Sequence, residues 1–326
     1  MTISILYASS TLSVVAESKL KGIRIPRKYR GVLLFLRDAG IAFLFVCLVL
    51  LTMFAYTGMW PPLVVVESNS MMHGEDNLSD IGTIDTGDLV LVKKVDQASD
   101  IETYLEGYVS GYRSYGDYGD VIVYERGGVS AATPIIHRAM MYLEINPDNS
   151  GYKCAALKNV PQTKWSTLNT ADTWDNLTSV LIIHDVGWGG QSVTIDIRAM
   201  TTSDRSGFIT KGDHNSAIDQ MYGAAGPVNV DWVVGKARGE IPWFGLLKLW
   251  STDTLGSPAP PNSVRNLWIT IAMIVIAPVV MDIVLTHREK KRIERRRALY
   301  AANTEDRSKV EKRVEGEEQK DPPSRP

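Results

Sequence analysis

The sequence predicts a mainly β fold: an antiparallel β-rich domain anchored by two transmembrane helices. Three observations predict it. Two long apolar runs stand toward the ends of a 326-residue chain, lysine and arginine cluster just beyond each, and the stretch between them is acidic and alternates apolar with polar residues.

Residues 1–31 contain "ISILYASSTLSVVA", an apolar run broken by serines with no basic region before it. A cleavable signal peptide needs a basic lead and a continuous apolar core, so this segment reads as a short cytoplasmic lead-in. Residues 32–58 form the first span, because "AGIAFLFVCLVLLTMFAY", Ala39 to Tyr56, runs for 18 residues without a charge. That is close to the roughly 20 apolar residues that cross a hydrocarbon core. Residues 266–286 form the second, where "LWITIAMIVIAPVVM" from Leu267 to Met281 continues past Asp282 through "IVL". The competing reading of each run is a buried helix of a large soluble domain. Residues 287–326 end in a mixture of charges and proline with few large apolar side chains, the composition of a disordered tail.

Residues 1–58 carry a net charge of +5, residues 59–265 carry −10 and residues 266–326 carry +3. The basic clusters "RIPRKYR" and "HREKKRIERRR" lie just outside the two runs. Lys and Arg near span ends stay on the cytoplasmic side, so both termini read as cytoplasmic. Residues 59–265 then read as the external domain of a multi-pass cell-membrane protein.

Within that domain, strand signals fall at 63–68, 88–95, 120–126, 135–145, 192–200, 207–212 and 230–237, with Gly, Asp or Asn turns between them. Such alternation argues antiparallel sheet. Two stretches interrupt it: residues 97–119, rich in Gly, Tyr and Asp, read as a long loop, and residues 146–190 read as an inserted, mostly polar excursion. Loops of that length serve a function or are variable decoration, and composition does not choose. Trp60, the stretch "IPWFGLLKLW" and Trp268 flank the spans as an aromatic belt or as the floor of a domain dipping into the membrane interface.

The chain has two cysteines, Cys47 inside the first run and Cys154 in the middle segment, so the external domain forms no internal disulfide. No Cys/His set has zinc spacing and no Gly-rich loop ends in Lys-Ser/Thr, so neither metal nor nucleotide is expected as a cofactor, nor nucleic acid as a partner. No repeat of 20 to 50 residues is visible. Asn77 and Asn176 head Asn-x-Ser/Thr sequons, which are common by chance.

The chemistry rests on a serine. A hydroxyl becomes nucleophilic only when a base meets it, and "ESNSMMHG" offers Ser68 and Ser70 directly after an apolar run. Candidate bases are His73, His137, His184 and His214. His73 follows Ser70 by three, which in an extended chain places it on the opposite face, so it reaches the serine only if the chain turns helical there. His137 lies in the strand-like "TPIIHRAMM", either as a core histidine or as a fixed base. The turn "ITKGDHNSAID" supplies Asp213 and Asp219, and a carboxylate behind an imidazole fixes its tautomer. Read alone, that segment is simply a good turn.

Taken in order, the blocks are Ser-x-Ser-Met (68–71), Gly-Asp-x-Val-x-Val (87–92), Ile-His-Arg (136–138) and Lys-Gly-Asp-x-Asn with a second Asp six residues after the first (211–219). This series resembles the type I signal peptidases of the archaeal and endoplasmic-reticulum branch, in which histidine replaces the lysine base of the bacterial enzymes. The matching blocks cover about residues 62–95, 119–140 and 207–241; the long insertions and the tails lie outside them. The resemblance implies a signal-peptidase-like catalytic domain, with Ser70 as nucleophile, His137 as general base, Asp219 orienting that base and Asp213 supporting the site. It gives the oxyanion hole to the Ser68 hydroxyl and the Ser70 backbone N–H, and makes Met71 a substrate-facing residue or a core one. It implies cleavage of secretory preproteins after small residues, with signal peptides, membrane lipid and the Sec translocon as partners and no cofactor. An archaeal source fits the histidine-type blocks and the second span. Asn69 stands where relatives often have Gly, and His73 where many have Pro. The rival readings are a doubly anchored β-domain without catalysis, for binding or cell-surface structure, and a membrane serine protease for another exported substrate.

Overall fold

The computed structural model describes residues 27–318 apart from 75–77, 131–132, 149, 201–204 and 223–225. The lead-in reading of residues 1–26 and the sequon at Asn77 lie outside the described residues. The chain divides into two compact units, Met1–Val64 with Val90–Glu240, and Val65–Leu89 with Ile241–Pro326.

The first unit opens with α1, Arg27–Thr57. Its apolar side chains face outward all round, with Phe35 71% and Leu44 70% exposed, which a helix in water does not do. The stretch Gly31–Thr57 is long and apolar enough to cross a membrane. The strands that follow are β1 (Leu63–Val65), β2 (Leu89–Lys93), β3 (Arg113–Ser114), β4 (Asp117–Tyr118), β5 (Val121–Tyr124), β6 (Ile135–Ile145), β7 (Tyr152–Lys153), β8 (Trp165–Thr167), β9 (Val180–Val186), β10 (Gln191–Asp196), β11 (Gly207–Lys211) and β12 (Val233–Ile241). A seven-stranded sheet runs β1-β2-β12-β5-β6-β11, with β7 also on β6. The described pairings β12–β5, β5–β6, β6–β7 and β6–β11 are all antiparallel. The first strand signal is shortened: β1 ends at Val65, and by Ser68 the chain has begun to turn.

β6 is the hub of this sheet. Flanked by β5 and β11, it is buried on both faces from Ile136 to Met141. Ile122, Tyr124, Ala139 and Phe208 share one apolar cluster, while Met140, Met141 and Leu143 belong to a larger one.

Residues 97–119 are not the open loop that their composition predicts. They hold a short helix, α2 (Tyr104–Ser110), then the β3–β4 hairpin. Thr103 and Glu106 form a capping box at the start of α2, and Gly111 at φ 83° closes it. Tyr104 and Tyr108 each meet Tyr118 edge to face. Asp120, fully buried, fastens the segment to β12. Its carboxylate accepts from Glu102 N at 3.0 Å, Tyr112 Oη at 2.8 Å, Lys236 Nζ at 3.0 Å and Arg238 Nη1 at 2.9 Å.

Nor are residues 146–190 a polar excursion. They supply β7, β8 and β9, and with β10 the last two make a three-stranded antiparallel sheet in the order β10-β9-β8. Leu157, Trp165, Leu177, Leu181 and Ile183 are buried in the larger core cluster. The apolar run "VLIIHDV" was masked by the polar turns around it. Asn176 is exposed at the end of a tight Thr173–Asn176 turn.

In the second unit, α3 (Gly245–Thr252) precedes α4 (Pro261–Glu318), whose Pro261–Tyr300 stretch is long and apolar enough to span a membrane. The helix runs past residue 286 to Glu318, where an irregular tail was expected. Arg, Lys, Glu and Ala, which fill this stretch, are good helix formers. Leu246, Leu249 and Leu267 form a small core with Val65, Trp243 and Phe244 packed on it, and the Trp250 and Trp268 rings stack with centroids 6.4 Å apart.

Gly87 has φ 98°, and a Cβ there would lie 2.4 Å from Leu246 Cδ2. Gly87→Ala is therefore expected to cost about 2–4 kcal/mol, from backbone strain plus overpacking. Adding Leu246→Ala should relieve only the overpacking share, which thermal unfolding of the single and double variants in detergent will separate.

Candidate functional site

Successive side chains of a strand point to opposite faces. His137 and Arg138, adjacent on β6, therefore need separate partners. His137 lies opposite Ile122 of β5, and Arg138 opposite Val121 of β5 and Lys211 of β11. The turn after β11 meets both needs.

Asp219, which opens a short 3-10 turn, brings Oδ2 to 2.7 Å from His137 Nδ1, with side chains 8% and 10% exposed. The same oxygen accepts from Tyr124 Oη at 2.8 Å, and Thr210 Oγ1 donates to that phenol at 3.2 Å. Burial pushes the Asp219 carboxyl up, but the hydrogen bonds and charge of His137, with Thr210 and Tyr124, outweigh it and hold the group below the usual carboxylate range. An ionised carboxylate accepts only, so Nδ1 carries the ring proton, and Nε2 of the neutral ring is the basic nitrogen.

Asp213, six residues earlier, takes Arg138 instead. Nε donates to Oδ1 at 2.8 Å and Nη2 to Oδ2 at 2.5 Å, a bidentate pair whose guanidinium is 1% exposed. Nη1 also donates to the carbonyls of Ser114, Tyr118 and Gly119 at 3.0–3.1 Å, which ties the β3–β4 hairpin to β6. Burial works against the Arg138 charge, and Asp213 more than restores it, so its pKa is raised. Lys211 is buried too and donates to the carbonyls of Gly212 and Asp213; burial lowers its pKa.

The serines belong to the second unit. After Val66 the chain turns, with Met72 N donating to Asn69 O at 3.1 Å, and Ser68 Oγ and Ser70 Oγ lie 3.2 Å apart. The loop before α4 backs this turn. Gly256 N and Ser257 N donate to Glu67 O at 2.9 and 3.1 Å, and Ser257 Oγ donates to Asn69 Oδ1 at 3.2 Å. From the other side Gly87 N donates to Val66 O at 2.9 Å, while Asp88 accepts from Asp85 N and Trp243 N, both at 2.9 Å. That is the physical content of the Gly-Asp block. Met71 is 1% exposed, a core position in the free protein.

Compared with protein-family models and with characterised proteins, the chain matches none.

His184 Nε2 meets Ser166 Oγ at 2.8 Å within the three-stranded sheet, His214 is exposed on the turn after β11, and His73 is half-buried beyond the serine turn. Among the described residues no group of three or more His, Cys, Asp and Glu is arranged to hold a metal ion. Sequence reasoning missed Tyr124, Thr210 and the role of Arg138. The first two sit in ordinary strand runs, and no spacing rule marks them.

Two expectations follow. Asp213→Ala leaves a buried guanidinium uncompensated and should cost about 3–5 kcal/mol, read by denaturant unfolding. Because the Asp219 carboxyl is depressed in the folded state, the stability it adds is complete above the unfolded pKa of about 3.9 and is lost as pH falls through the lower folded value. Unfolding midpoints between pH 6 and pH 2.5 should fall less steeply in Asp219→Asn than in the wild type.

Proposed function

We propose that this chain is a membrane-bound serine endopeptidase of the type I signal peptidase kind, histidine branch, removing signal peptides from exported preproteins after small residues. The observation that carries the reading is the buried Asp219–His137 pair, since a carboxylate on Nδ1 leaves Nε2 as the acceptor that a serine hydroxyl requires. The ordered blocks from Ser68 to Asp219 supply the nucleophile. The Ser68 hydroxyl, 3.2 Å from that of Ser70, supports its role as a side-chain donor to the oxyanion, beside the Ser70 backbone N–H.

In this mechanism Ser70 Oγ bonds to the scissile carbonyl carbon as His137 Nε2 takes its proton, and Asp219 stabilises the imidazolium without taking the proton itself. The imidazolium gives the proton to the departing amine as the C–N bond breaks, releasing the mature chain. Water, deprotonated by the same nitrogen, then hydrolyses the acyl-serine ester and frees the signal peptide carboxylate. Arg138 and Asp213 hold the strand and turn that carry the base.

The reading places residues 59–265 outside the cell membrane, both termini in the cytoplasm, and the Trp250–Trp268 stack in the headgroup zone, where indole rings are favoured. Its partners are signal peptides, membrane lipid and the Sec translocon that delivers precursors.

Ser70→Ala and His137→Ala are each expected to abolish precursor cleavage while the protein stays folded, and His137→Lys to fail as well because a lysine base approaches from another geometry. Mass spectrometry of a coexpressed secretory precursor in membranes reads all three. Cleavage retained in Ser70→Ala overturns the assignment, and an intact precursor with the wild type favours the non-catalytic, doubly anchored β-domain. The sites cut in several precursors separate signal peptide removal from processing of another exported substrate. A short thiol cross-linker joining cysteines placed at 70 and 137 tests whether the nucleophile and base meet.

A further inference from the structure

We propose that Tyr124 is a positioning residue for the His137–Asp219 pair, sharing Asp219 Oδ2 with the imidazole and thereby setting how strongly the carboxylate draws on the ring. Its effect on cleavage rests on the peptidase reading; the hydrogen-bond relay itself does not.

Tyr124 closes β5, a four-residue strand buried throughout, two residues from Ile122, which lies opposite His137. Alternation puts Tyr124 on the imidazole's face. The phenol's role toward Asp219 is fixed by chemistry, and Thr210 sits beside both groups. Asp219 only accepts, so the phenol donates to Oδ2 at 2.8 Å, and the Thr210 hydroxyl, 3.2 Å away, donates to the phenol oxygen. Burial and the neighbouring Asp219 charge raise the phenol's pKa, so it stays a neutral donor wherever the carboxylate is ionised. Two donors on one oxygen divide its charge. With the phenol present, Asp219 holds His137 in place yet polarises it less than a singly bonded carboxylate does.

The charged groups facing this relay are Arg126 toward Tyr124, and Lys211 toward Asp219 with Asp213, Asp117 and Arg138 around it. All are retained when Tyr124 becomes Phe, so the substitution isolates the hydroxyl.

The test uses the full chain in nanodiscs with histidine-selective ¹⁵N labelling of its five histidines, His137 being identified by His137→Gln. In Tyr124→Phe the His137 Nδ1 resonance, read at an alkaline pH where the ring is neutral, should move downfield as the Nδ1–H···Asp219 bond strengthens. Thr210→Val should move it in the same direction by less. With a precursor peptide, kcat/KM should fall about threefold to tenfold, the worth of one hydrogen bond, and the acid limb of the pH profile should move. A Tyr124→Phe protein with unchanged Nδ1 shift and unchanged pH profile overturns the proposal, particularly where Asp219→Asn moves both. If the wild type cleaves nothing, the peptidase reading fails, and the nitrogen shifts still decide the relay.

Discussion

Two neighbouring polar residues on a strand covered on both faces make a demand that the rest of this fold answers. A buried guanidinium without a counter-ion, or a buried imidazole without a hydrogen-bond partner, costs several kcal/mol. His137 and Arg138 present both problems, on opposite faces of β6. The turn after β11 resolves them with two carboxylates six residues apart, Asp213 for the guanidinium and Asp219 for the imidazole. The spacing in "GDHNSAID" is therefore the length of chain that passes from one partner to the other. Displacing the turn would take the carboxylate from both groups at once.

The same demand explains why the Gly- and Tyr-rich residues 97–119 are ordered. Arg138 has more donors than Asp213 can accept, and the β3–β4 hairpin curls round it to offer main-chain carbonyls. Asp120 then fixes the base of that segment to Lys236 and Arg238 of β12. What reads as loop composition is a shell folded around two buried charges.

How much of this was legible in the sequence follows from the kind of signal each part leaves. The membrane-length helices and the β-rich middle are one-dimensional patterns, run length and alternation, and both are found. The capping box Thr103-x-x-Glu106 was present as a start signal for α2, but tyrosine and glycine content outweighed it. β9 was hidden because its seven residues sit between polar turns, although "VLII" is a plain strand run. The end of α4 shows the opposite error: abundant charge was read as disorder when its residue types also favour helix. Of the site, the residues with rare side chains in compact motifs were visible. Tyr124 and Thr210 were not, because their roles arise from strand pairing, which brings residues 86 apart to one hydroxyl contact.

The serine turn has a quieter dependence. Glu67 and Asn69 are bonded to Gly256 and Ser257, only four residues before α4 begins at Pro261. With α4 inserted in a bilayer, the depth of that helix is governed by the match between its apolar length and the hydrocarbon thickness. A thinner or thicker bilayer would tilt or raise α4, and the Ser68–Ser70 hydroxyls would ride with it relative to the headgroups. Lipid composition would then be a mechanical input to where these hydroxyls stand, delivered through three hydrogen bonds.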